Sequence, residues 1–294
     1  MTHLRNDFHL LLLLLAVVLW GCGDSSDTAY TTDAPGQSAY GTWTLHVTPA
    51  DGSTRALTPT NDYKTLTESW AAGEKVFVYQ QTGTKDPTMN LVGTLTAKTS
   101  GGTTTLSGSV TGTFSNGGQL WLYTQELSPT FYDGQDGTLA TLAAKYDLLY
   151  DDITIEAIDA DTHTLTTKQP TFKALRSICR FTLLDTGHNA LKATKLTVSA
   201  DNSLVKGYDN NWEAIHWEAI HDAPVTLTAT LGGTTNVVFL SMADYLSGNT
   251  ERTPPTYTFT ATVGSDTYTC MKSARLEFGK YYATTLTMTK QSKQ

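Results

Sequence analysis

Apolar and polar residues alternate along most of this chain. "TWTLHV" sets Trp43, Leu45 and Val47 on one side of an extended segment, and "EKVFVYQ", "LVGTLTA" and "TTTLSGSVTG" repeat the rhythm. Period-two alternation punctuated by Gly, Asn and Asp predicts half-buried strands. Gly101-Gly102 joins the last two segments as a hairpin. "GQLWLYT" puts Leu120 and Leu122 on one face and Trp121 and Tyr123 on the other, which predicts a central strand apolar on both sides. The rhythm breaks once, in "DGTLATLAAKYDLLY", where Leu139, Leu142, Ala143 and Tyr146 recur at helical spacing behind Asp136 as a cap. A single helix is expected over 138–149. Alternation then resumes in "DDITIEAI", "HTLTTKQP", "SICRFTLLD", "LKATKLTVSA", "APVTLTATL", "TNVVFLSM", "TYTFTATVG", "DTYTCMK" and "KYYATTLTMTK".

Short strands at regular spacing predict an all-β chain of two β-sandwich domains in tandem, with the helix in the first. The expected boundary lies near Gln169-Pro170, giving an N-terminal domain over 41–169 and a C-terminal one over 170–294. Each half is long enough to bury its own core.

The N-terminus departs from this pattern. "LLLLLAVVLWGCGDSS" holds an apolar run of about ten residues, against the roughly 20 that a membrane span requires. It fits the h-region of a secretory signal, with Arg5 ahead of it. Leu19-Trp20-Gly21-Cys22 follows the pattern of a bacterial lipobox, in which the thiol of Cys22 takes a diacylglycerol. Residues 1–21 are therefore expected to be a lipoprotein signal peptide. Several acyl chains, palmitate among them, would hold Cys22 in a membrane. Residues 22–40 are small, polar and short of aliphatics, which predicts a flexible tether. Asp24 and Asp27 are similar to the acidic export signals of Bacteroidetes surface lipoproteins. The expected location is the outer membrane, facing the cell surface.

Composition narrows the partners. The net charge is −8, charged residues are 16 %, and no basic run occurs. A phosphate backbone is repelled by such a surface, so nucleic acid is excluded as a partner. Cys179 and Cys270 both sit in strand-like segments, and either a disulfide or two free thiols fits them.

Candidate chemistry is sparse. "WEAIHWEAIH" is a tandem repeat that invites a metal reading of His216 and His221. A shift of five along a strand reverses the face, and along a helix it turns by roughly 140°, so the two imidazoles diverge. Trp212 and Trp217 offer a sugar-stacking platform instead. Asp151, Asp152, Asp159 and Asp161 read as turn formers rather than as a catalytic carboxylate pair. His46, His163 and His188 stand singly and read as structural. No nucleophile elbow, phosphate loop or dinucleotide fingerprint is present, so neither an enzyme nor a cofactor is expected.

Four segments in order resemble one family. "SWAAGEKVFVY", "YDGQDGTLATLAAKYDLLY", "FKALRSICRFTLLD" and "FGKYYATTLTMTK" are similar to segments of the fimbrillins, the pilin-like lipoproteins of Bacteroidetes. The resemblance implies two transthyretin-like β-sandwiches and a subunit of a type V fimbria. Such a subunit is exported as a lipoprotein, trimmed by an arginine-specific protease and joined to other fimbrial subunits by donor-strand exchange. It also implies adhesion to host or bacterial surface ligands. "PADGSTRALTPT" places Arg55-Ala56 where such trimming would release the strand carrying Trp43, Leu45 and Val47. The chain ends soon after "TLTMTK", which favours a minor, tip or accessory subunit over a stalk. The alternative is a lipid-anchored glycan-binding protein of a polysaccharide-uptake system, which would present Trp212 and Trp217 on its surface.

Overall fold

Among the described residues of the computed structural model, nineteen strands and one short helix carry out the alternation. The structure describes residues 38–50, 56–59, 66–83, 88–126, 130–132, 134–200, 204, 207–208, 225–244 and 253–292. These form one compact unit. The expected signal and lipidation site, Arg55 and the repeat at 212–221 lie outside the described residues.

The first half runs β1 (Ser38–Val47), β2 (Ala56–Pro59), β3 (Leu66–Ser69), β4 (Lys75–Thr82), β5 (Thr88–Ala97), β6 (Leu106–Ser115), β7 (Gln119–Tyr123) and β8 (Thr130–Phe131). The helix α1 (Leu139–Thr141) follows, then β9 (Leu149–Asp159), β10 (Thr164–Thr167) and β11 (Lys173–Ala174). The second half comprises β12 (Ser177–Asp185), β13 (Lys195–Ala200), β14 (Gly207–Tyr208), β15 (Val225–Thr230) and β16 (Val237–Met242). It ends with β17 (Thr256–Val263), β18 (Asp266–Ser273) and β19 (Tyr281–Lys290).

The first sheet has the order β10-β1-β6-β5-β4-β7-β9-β11, and β10 also pairs with β9. That extra pairing brings the ladder back to its start. The turn that allows it is set by Asp159, whose Oδ1 accepts from the N–H groups of Asp161 and Thr162. His163 closes the turn in the left-handed region, at φ 51°. Strand alternation sends Leu45, Val78, Leu95, Val110, Phe114, Leu122 and Ile153 into one core. As its pattern implied, β7 is central, between β4 and β9, and its Tyr123 joins a second, smaller cluster with Tyr79, Leu148 and Leu175.

The second sheet has the order β15-β13-β17-β18-β19-β12-β16. Its edge strands β15 and β16 do not pair with one another. Residues 134–137 lie between them. Gly134 N–H donates to Thr228 O, Thr230 N–H to Gln135 O, and Phe239 N–H to Gly137 O. Gln135 completes the junction from its buried side chain: Nε2 donates to Ser241 O and Oε1 accepts from Ser241 N–H. A second irregularity lies inside this sheet. The β18–β19 ladder covers only Tyr268 with Lys290 and Thr269 with Thr289, after which the strands part.

The helix is shorter than its sequence period suggested, and it packs elsewhere. Thr138 caps it by accepting from Thr141 N–H, with Asp136 bonded behind both threonines. After α1 the turns widen into a π-helical turn over Leu142–Tyr146, and the helix stops there. Asp147 is held by an ion pair with Arg176, and Leu149 already opens β9. Leu142 and Tyr146, with Tyr132, belong to the core of the second sheet together with Leu183, Val198, Leu227 and Phe259. A stretch expected from its sequence position to pack in the N-terminal half thus completes the core of the second sheet.

Candidate functional site

The strand selected from the sequence for its row of Trp43, Leu45 and Val47 is β1. It forms a continuous antiparallel ladder with β6, from Ser38 opposite Ser115 to Val47 opposite Leu106. On its other side it meets β10 only at Thr44 opposite Thr164 and Leu45 opposite Leu165, and there the strands are parallel. One flank is therefore fully bonded and the other barely so. The seam between β1 and β10 is the place where the first sheet closes.

Side chains follow the alternation. Trp43 is 3 % exposed, Leu45 0 % and Val47 4 %. Tyr40, Thr42 and His46 face outward, and Thr42 shares a hydroxyl hydrogen bond of 2.9 Å with Thr111. The turn between β9 and β10 covers the seam. His163 lies against the indole of Trp43, with ring centroids 5.4 Å apart, and its carbonyl accepts from Thr44 N–H at 2.8 Å. Beyond the strand, Ala50 N–H donates to Pro170 O at 2.8 Å. Ala56 opens β2, opposite Ser69 of β3.

Other candidates separate. Asp159 is a turn former, whereas Asp151 and Asp152 lie within β9. Asp151 is buried, its Oδ2 accepts from Thr171 N–H at 2.6 Å, and burial raises it above the ordinary carboxylate range. It acts as a structural brace rather than as the turn residue its spacing suggested. Cys179 and Cys270 are free thiols, in β12 and β18. Burial pushes the Cys179 thiol up to about 12, far from the reactive range. Among the described residues no three His, Cys, Asp or Glu side chains cluster as metal ligands, and no helix is long and apolar enough to cross a membrane.

Sequence reasoning missed the buried pair of Arg176 and Asp147, which are 2 % and 0 % exposed. Asp147 follows the π-helical turn, and Arg176 lies between β11 and β12, where the chain passes from one sheet to the other. Thr124 Oγ1 donates to Asp147 O, and Arg176 O accepts from Gly279 N–H. The pair thereby ties the helix to the crossover. A lone Arg before a strand carries no sequence signal for such a role.

No family model and no curated protein matches the chain. Solved structures do. A candidate cell adhesion protein from Bacteroides ovatus ATCC 8483 is 13 % identical, with 87 % of this chain and 97 % of that one covered, at a TM-score of 0.48. Another from Bacteroides uniformis ATCC 8492 is 12 % identical, covering 85 % and 96 %, at 0.44. A fimbrial protein from Bacteroides ovatus ATCC 8483 is 10 % identical, covering 84 % and 49 %, at 0.36. At such identities and scores each is a distant likeness only.

Proposed function

We propose that this chain is a structural, adhesive subunit of a bacterial fimbria, exported as a lipoprotein, anchored through Cys22 and joined to other subunits by exchange of β1. The observation that carries this reading is the asymmetry of β1. It is bonded along its whole length to β6 but at only two positions to β10, while it buries three large apolar side chains. A strand of this kind is held by its pockets and one ladder. If the chain is cut at Arg55-Ala56, it becomes a separate peptide that a partner strand with the same inward pattern can replace. The pockets of Trp43, Leu45 and Val47 are worth about 1.5–3 kcal/mol each, enough to keep the uncut subunit closed. The role is that of a minor, tip or accessory subunit at the cell surface, with host or bacterial surfaces as the ligands.

Limited trypsin treatment, read by mass spectrometry and size-exclusion chromatography, tests this. Preferential cleavage after Arg55 followed by larger assemblies, both abolished by Arg55→Ala, is the expected result. Trimmed protein that keeps β1 and stays monomeric with partner subunits present refutes exchange. Labelling with a palmitate analogue tests the anchor independently, with Cys22→Ser as the unlabelled control.

A further inference from the structure

Where β18 and β19 part, the inner face of the second sheet opens to solvent. The pairing fixes which side chains this concerns. Lys272 stands opposite Tyr257 and Cys270 opposite Phe259, and both partners are core residues, so Lys272 and Cys270 also point inward. On β19, Thr284 is in phase with the buried Leu286 and Met288 and lies beside Phe181 of β12. Yet Lys272 and Thr284 are exposed. Two residues on the core side reach water, and among the described residues no strand fills the gap.

Beneath them is a cavity of about 160 Å³. Phe181 and Phe259 meet edge to face in its lining, 5.0 Å between centroids, with Tyr257, Met242 and Leu276 beside them. Tyr257 engages its hydroxyl, donating to Asp244 Oδ2 at 3.3 Å. Tyr282 likewise engages its hydroxyl, which accepts from Glu277 N–H at 2.9 Å. The lining is thus chiefly apolar surface. Lys272 is the only charged side chain among the described residues that line it.

We propose that this cavity binds a small amphipathic monocarboxylate, with a short aliphatic or aryl tail inside and the carboxylate at Lys272. An apolar cavity of roughly 150 Å³ holds a benzene-sized guest, which sets the tail at about five or six carbons. Apolar sites with one placed polar group orient a ligand in this way. The binding is independent of any exchange of β1, which belongs to the other sheet.

Titration calorimetry of the full chain with hexanoate and with hexanol tests the proposal, together with the methyl resonance of Met242 as a local probe. Saturable binding of both, with a shift at Met242, is expected. Lys272→Met should weaken hexanoate roughly five-fold, the size of a rim ion pair, and leave hexanol unchanged. Thr284→Phe should fill the gap and abolish both while thermal stability is retained. No saturable binding in the millimolar range, or binding that Thr284→Phe leaves intact, overturns the site. Hexanoate binding that Lys272→Met does not weaken overturns the carboxylate assignment. If a peptide of alternating apolar residues binds there and hexanoate does not, the gap is a strand site and the small-ligand reading is wrong.

Discussion

In the first sheet β10 leaves β9, meets β1 and returns the ladder to its starting strand. In the second sheet β15 and β16 stay apart, and residues 134–137 lie between them. Both arrangements satisfy backbone groups that a bare edge would leave open to another chain. They differ in what must move to reopen them. The first closes on a two-position parallel contact next to a strand that ends in a loop. The second closes on a segment fixed at both ends, with the buried side chain of Gln135 bonded to Ser241. Closure by a strand suits exchange, and closure by an internal clasp suits permanence.

The largest expected effect is at the crossover between the two. Arg176→Ala leaves Asp147 buried without its ion-pair partner, and a loss of about 3–5 kcal/mol is expected in urea unfolding. The double variant Arg176→Met with Asp147→Leu should recover much of that loss, since no lone charge then remains buried. A loss of no more than about 1 kcal/mol, far below what breaking a buried pair costs, would mean that the pair does not hold the crossover.

Leu45→Ala comes next. Leu45 is fully buried, so about 2–5 kcal/mol is expected. Hydrogen exchange sharpens the comparison. Amides of β1 should exchange faster in this variant, while those of β13 and β17 in the second sheet keep their protection. Uniform acceleration across both sheets would show that β1 cannot open separately.

Gln135→Ala should cost about 1–3 kcal/mol, because both Ser241 backbone groups lose their partner in a buried place. Its signature is faster exchange along β15 and β16, with β1 unaffected. No change there would mean that the backbone bonds of residues 134–137 suffice.

Acid titration gives the smallest effects, of opposite sign in the two sheets. Asn189 donates to Asp185 from its side chain and its backbone, which holds Asp185 below the ordinary carboxylate range. Its stabilisation is present at neutral pH and fades as pH falls through the folded value. Asp151 is raised by burial, which outweighs the N–H donated by Thr171. Its ionisation therefore opposes folding once pH rises above the unfolded carboxylate range. Urea midpoints between pH 3 and 7 should show Asp185→Asn as a small loss and Asp151→Asn as a small gain, each fading toward the acid end. The reverse signs would break the assignment.

The sequence by itself determined which residues face inward. Trp43, Leu45 and Val47, or Leu120 and Leu122, declare their side through alternation, and alternation is a property of neighbours in the chain. Asp136 likewise marked where a helix begins, although the cap itself is Thr138, which Asp136 supports from behind. Its end was decided elsewhere: Asp147 answers to Arg176, and Leu149 to the β9 ladder, so the helical period at 142–149 ran on past the real stop. Tertiary structure alone decided how the sheets close. Gln135 and Ser241 are 106 positions apart, and Thr44 and Thr164 meet only because β9 folds back at Asp159. No local pattern encodes such a distance, since period and propensity fix the face a residue presents and leave its partner to the packing of the whole chain. The same holds for the gap between β18 and β19, where "DTYTCMK" and "KYYATTLTMTK" alternate as regularly as any paired strands yet share a ladder only at Tyr268 with Lys290 and Thr269 with Thr289.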